Sequence, residues 1–474
     1  MRHLLKAFFV GWVLLLKTAC NGTAVCAGLT CVAACLGAAC NGTAPEPIVP
    51  PVQPPPRTSP PPFNAKPSEN LCEAQRNLAA KLGTEHLIIG IMTEGGGDNY
   101  ENAISGVPYG LKYIYVAERA RAGGPCTDCN NCPNQPPGGW WGCWNRTGND
   151  SRPGARLRNL FSSSADAGQI PMVVYYTIYR TIAEGAGALP GGLRVTENVR
   201  DYFRDWRFTL QVVNEYQQQS GKPVMVHVEP DLWGFAQQGS VGRNSPKNLP
   251  VNVQEAAEGD CPEQENNFAG FGICMLRMAR HHAPQASIGF MASAWATGLG
   301  DISRGVGSSA TINAEAAGRS TGLYLNELGA NLADFLVVEF SDRDAGYYAA
   351  NREPDRWYFI NPDEGVPNFR RTFLWARTLA ETVKLPLVWW QIPMGHSGME
   401  NVNPGGSCFT GRWRDNRAEY LFEHLDEVVT NHGVALAFGP GDCRQTNPRS
   451  DDGFLAGKVR DYEAGAKQKL ICVQ

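Results

Sequence analysis

A chain of 474 residues in which 43% of side chains are hydrophobic and 19% are charged has the apolar content for a large packed core, which excludes a fibrous or disordered protein. The formal net charge is −4, with acidic and basic residues interspersed and no basic stripe. That balance excludes the electrostatic footprint of a nucleic-acid partner.

The N-terminus reads as an export signal. Arg2 and Lys6 precede the apolar run AFFVGWVLLL (7–16), which is too short to span a bilayer and suits the core of a secretion signal. VAAC at 32–35 resembles the acylation motif of bacterial lipoproteins, with Cys35 as the lipid-bearing residue and Cys20 and Cys40 as rival sites. The alternative is a plain cleaved signal peptide. Residues 1–35 are thus expected to be a leader and 36–67 a linker, whose tract PEPIVPPVQPPPRTSPPPFNAKP (45–67) should extend as polyproline II. Export would place the chain at the outer cell surface or in the medium, touching a membrane only through the lipid anchor.

Ten cysteines follow the linker, and an even number in an exported chain points to disulfides. Cys72 and Cys472 stand near the two ends of the domain and are expected to pair, as are Cys261 with Cys274 and Cys408 with Cys443. Cys126, Cys129, Cys132 and Cys143 should staple their own loop. Their CxxCxxC start also suits a metal, but Cys143 is badly spaced for a ferredoxin-type cluster.

From residue 68 onward eight short β-rich runs can be picked out, at 86–92, 111–117, 171–178, 223–229, 286–293, 334–340, 385–392 and 433–439. Helical patterns lie between them at 195–219, 267–282, 322–333, 369–383 and 416–431. Turns from helix into strand are short, whereas those from strand into helix are long and rich in Gly, Trp and Asp. This asymmetry predicts a single α/β domain over 68–474, a (β/α)8 TIM-type barrel, with a doubly wound open sheet as the competing architecture. The second repeat has the weakest pattern, because 118–170 reads mostly as loop.

Side chains at the carboxyl ends of such strands line the barrel mouth. In VMVHVEPDLWGF (224–235) the valines alternate with His227, Glu229 and Asp231, so strand alternation would send the polar set to the mouth together. Other strand ends supply Glu94, Tyr175, Tyr176, Trp233, Trp295, Glu339, Asp342, Asp344, Trp389, Trp390, Gln391, His396 and Asp442. The indoles of GGWWGCWN (138–145) lie in a Gly- and Cys-rich loop that is a difficult place to bury them fully.

Carboxyl pairs among flat aromatics suit glycosidic bond hydrolysis. One acid protonates the leaving oxygen, the other activates water or attacks the sugar, and indole faces stack on pyranose rings. Glu229, Asp231 and Glu339 are the catalytic candidates, and Trp233, Trp295, Trp389, Trp390, Gln391, Tyr175, Tyr176, His227, Asp342 and His396 the candidate substrate wall. Each also has a plainer reading: carboxylates satisfied by arginine or backbone, tryptophans in the core, His227 hydrogen-bonded inside the barrel. No cofactor is implied. A metal site from His227, Glu229 and Asp231 lacks HxH or HExxH spacing.

VHVEPDL (226–232) resembles the V-x-E-P-D motif of family 6 glycoside hydrolases, the inverting cellulases with a distorted barrel. The resemblance implies that Asp231 is the general acid and that the substrate is a β-glucan. Where that family carries a second aspartate after the preceding strand, YYTIYRTIAEG (175–185) has tyrosines and Arg180, so Glu339, Asp342 or Glu94 is left to supply the partner. The rival expectation from another class is a noncatalytic surface lipoprotein that holds a glycan in the same mouth. A third is a metal-dependent hydrolase using His227 and Glu229.

Overall fold

The computed structural model describes residues 66–473 except 96–97, 137, 179–180, 182–188, 240–242, 298–301, 303–312, 341–342, 351–361, 403–410 and 443. The expected leader, most of the linker, Asp342, Cys408 and Cys443 therefore lie outside the described residues.

All eight β-rich runs are strands: β1 (Ile88–Met92), β2 (Leu111–Val116), β3 (Ile170–Tyr175), β4 (Met225–Val228), β5 (Ser287–Ala292), β6 (Phe335–Val338), β7 (Leu387–Ile392) and β8 (Gly433–Phe438). Every strand pairs in parallel with its chain neighbour, and β8 closes onto β1 with Leu436 opposite Ile89. Closure leaves no open edge, so the fold is the (β/α)8 barrel and not the doubly wound sheet. The strands read as short, uninterrupted apolar runs because lumen and helices cover both of their faces.

Helix α1 (Leu71–Leu82) precedes the barrel, and α2 (Ala155–Asp166), α3 (Thr196–Ser220), α4 (Phe268–His282), α5 (Ala314–Glu327) and α6 (Pro362–Val383) follow β2 to β6. After β7 come α7 (Arg417–Glu423) and α8 (Leu425–Thr430), and after β8 comes α9 (Phe454–Ala464). Asparagine side chains cap three of these starts. Asn70 accepts from the Glu73 amide, Asn267 from Gly270 and Asn313 from Ala316, each at 2.9 Å. The Asn313 cap explains why α5 begins before the apolar pattern at 322 does. The segment 118–170 also holds a helix after all: Leu157, Leu160 and Phe161 form the buried stripe of α2. The expected 416–431 helix breaks in two at His424.

Among the described residues four disulfides staple the fold. Cys72–Cys472 joins the first helix to the last turn, Cys261–Cys274 ties a loop to α4, and Cys126–Cys132 with Cys129–Cys143 pin the loop after β2.

Candidate active site

The alternation that would send His227, Glu229 and Asp231 the same way fails at one residue. Glu229 has φ 51°, the left-handed region, where the strand path turns. His227 stays in the lumen, its ring standing edge-on to Trp390 of β7 with centroids 4.7 Å apart. Strands β4 and β7 are not neighbours, so this contact crosses the barrel interior. Burial holds the imidazole down to about 3, hence neutral, and neither ring nitrogen has a hydrogen-bond partner among the described residues.

Glu229 turns the other way. Its Oε1 accepts from the backbone amides of Thr177 and Ile178, both at 3.0 Å. Burial pushes this group up to about 8. The carboxyl is fully covered, with Oε1 committed to the turn after β3. Neither cluster of possible ligands found among the described residues contains His227 or Glu229.

Asp231 does reach the mouth. The Tyr176 hydroxyl donates to its Oδ2 at 2.6 Å. The charges of Asp231 and Glu339 both act on the phenol of Tyr115, which burial first and then Tyr113, these two carboxylates and Tyr176 raise well above its ordinary value. Tyr115 accepts a 2.7 Å hydrogen bond from Gln391 Nε2 and lies 5.8 Å from the Trp390 ring. Gln391 likewise has a positive φ, 56°, beside an irregularity in the β7–β8 register. That second turn lets consecutive residues, Trp390 and Gln391, both face the lumen. Asp231, Glu339, Tyr115, Tyr176, Trp390 and Gln391 therefore converge on one mouth from β2, β3, β4, β6 and β7. Tyr115 had not been anticipated, although the alternation Tyr113, Tyr115 in LKYIYV carries the signal.

Several expected wall residues are core. Trp389 is fully buried and stacks on Phe340 at 4.2 Å with Phe373 of α6 edge-on, so neither face is open to a ligand. Trp233 packs on Phe268 and Phe290 and donates its Nε1–H to the Val228 carbonyl. Tyr175 is buried against Trp206 and donates to Asp205. The same Asp205 accepts from the indoles of Trp140 at 2.6 Å and Trp141 at 2.9 Å, which explains how the GGWWGCWN loop buries both rings. Burial raises this carboxyl to about 6 against the pull of its three donors. Trp295 is half-buried on Phe235, and His396 stacks on Phe454 at the start of α9. Glu94 is engaged by Arg156 at 2.5 Å, and Arg156 also donates to the Tyr115 carbonyl.

A buried network ties together the loops after β6, β7 and β8. Asp344 accepts from the amides of Gly395 and Thr446, and Asp415 accepts from the Ala345 amide while pairing with Arg417 at 2.5 Å. Burial and the neighbouring Asp415 charge raise Asp344 to about 7. These two carboxyls hold the loops together.

No protein-family model matches the chain, and no curated protein matches it, so the likeness of VHVEPDL to family 6 rests on those residues alone. Among solved structures, an endo-β-1,4-mannanase from Thermotoga petrophila is 10% identical, with 82% of this chain and 79% of that one covered and a TM-score of 0.42. A Bacteroidetes-affiliated GH5 cellulase is 12% identical, covering 82% and 93% with a TM-score of 0.43. The endoglucanase Cel6 from Mycobacterium tuberculosis is 13% identical, covering 53% and 60% with a TM-score of 0.25. Likenesses this distant say nothing about residues or reaction.

Proposed function

We propose that this chain is an exported glycoside hydrolase acting on a polysaccharide, with a β-glucan as the first substrate to test. The observation that carries the reading is the convergence of Asp231 and Glu339 on Tyr115 at the barrel mouth, with Tyr176 holding Asp231. Asp231 protonates the departing glycosidic oxygen, and Glu339 activates water or attacks the anomeric carbon. Trp390 offers an apolar face at the floor, and the Gln391–Tyr115 pair presents polar edges to sugar hydroxyls. The disulfides among the described residues and the apolar leader support export, since such bridges persist in oxidising compartments.

The test is release of reducing ends from β-glucans, mannan, xylan, chitin and peptidoglycan by the wild type, Asp231→Asn and Glu339→Gln. Turnover lost by a factor of about 10² to 10⁴ in both variants is the expected result. Turnover surviving in Asp231→Asn overturns the acid assignment. Polymer binding with no release by the wild type makes the mouth a noncatalytic glycan site instead.

A further inference from the structure

His281 and His282 close α4, a helix of 15 residues, and Asp260 lies in the loop that the Cys261–Cys274 bridge fastens to that helix. One ligand atom from each of these three residues lies within 4.8 Å of the other two. We propose that Asp260, His281 and His282 form a binding site for zinc or a similar borderline divalent cation at the foot of the barrel.

The His282–Asp260 contact is a long one. His282 Nε2 and Asp260 Oδ1 are 3.4 Å apart, long for a nitrogen–oxygen hydrogen bond. Tetrahedral bonds of about 2.0–2.1 Å to zinc put neighbouring ligand atoms roughly 3.3–3.4 Å apart, so the gap matches one edge of such a polyhedron. The other carboxylate oxygen is already fixed. Asp260 Oδ2 accepts from Arg207 Nε at 2.8 Å and meets Arg207 Nη2 at 2.6 Å, which orients Oδ1 toward the imidazoles. Glu258 lies 3.5 Å from Arg207 and offsets its charge.

Charge and access agree with the geometry. The carboxyl end of α4 carries the negative pole of the helix, which favours a cation. Asp260 is covered, His282 is half-buried and His281 is exposed, so an ion can enter from solvent and keep a water as its fourth ligand.

The experiment titrates ZnCl2 into the full-length protein, purified without a polyhistidine tag and with disulfides intact, beside His281→Gln and His282→Gln. Calorimetry should show one zinc equivalent in the wild type that is weakened roughly tenfold or more in either variant. CoCl2 at the same site should give visible d–d bands with no sulfur charge-transfer band, which separates it from the cysteines of residues 20–40. Folding of the variants is checked by near-UV circular dichroism. Identical zinc isotherms for wild type and both folded variants, or cobalt spectra of thiolate type alone, overturn the site.

Discussion

The Tyr176 hydroxyl donates to Asp231 Oδ2 across 2.6 Å, coupling the first residue beyond β3 to the mouth carboxylate after β4. On the opposite side of the same turn, Glu229 accepts the amides of Thr177 and Ile178. A carboxyl buried in the wall thus fixes the backbone that aims the tyrosine at the mouth.

Tyr176→Phe keeps the ring and removes the donor. A hydrogen bond to a charged group is worth about 1.5–3 kcal/mol, so kcat on a cleaved polysaccharide should fall roughly ten- to hundredfold. The fold should be unaffected, because the hydroxyl lies at the half-buried rim. Steady-state kinetics alongside thermal unfolding check both halves, and unchanged kcat would mean that Tyr176 does not position the acid.

Stability should peak on the acid side of neutral. Glu229, Asp205 and Asp344 are raised to about 8, 6 and 7, so the folded chain keeps protons that the unfolded chain releases. Their contribution is full below the ordinary carboxyl range near 4 and is lost as pH rises through these values. His227, held down to about 3, acts in the opposite sense: its contribution is present above about 6.5 and is lost as pH falls toward 3. Urea midpoints from pH 3 to 9 should rise and then fall. Glu229→Gln, which can still accept from both amides, should flatten the alkaline limb alone.

Asp205→Ala should be among the most damaging changes in the chain. It leaves Trp140, Trp141 and Tyr175 as buried donors without an acceptor, at roughly 1–3 kcal/mol each. Denaturant unfolding followed by tryptophan fluorescence reads the loss directly. A cost below about 1 kcal/mol would contradict the network.

The adjacent tryptophans of β7 should separate stability from ligand binding. Trp389→Ala empties a site between barrel and helices and should cost about 3–5 kcal/mol. Trp390→Phe keeps an aromatic ring against His227 and Tyr115 and should leave stability nearly intact while raising KM. Equal effects of the two substitutions on KM would show that lumen and wall are not distinguished as the contacts imply.

The sequence by itself determined the barrel: eight apolar runs, the short returns from helix to strand, and the cysteine pairings at 72–472 and 261–274. The runs and returns are local properties, because a strand covered on both faces must be apolar throughout and a helix must present a stripe, while the 72–472 bridge follows from the nearness of domain ends. It also placed Asp231 and Glu339 at strand ends. Only the tertiary structure decided which way the residues there face. A positive φ at Glu229 accompanies the commitment of that carboxyl to the amides of Thr177 and Ile178, and another at Gln391 accompanies its bond to Tyr115. Period-two reasoning cannot see either turn, since neither residue is a glycine. Burial of the indoles was equally out of reach. Whether Trp140, Trp141, Trp233 or Trp389 meets solvent depends on what distant segments lay over it: Asp205 of α3, Phe268 of α4 and Phe373 of α6. Side-chain identity sets the capacity to bind a sugar, but packing from elsewhere in the chain sets which faces remain open to do so.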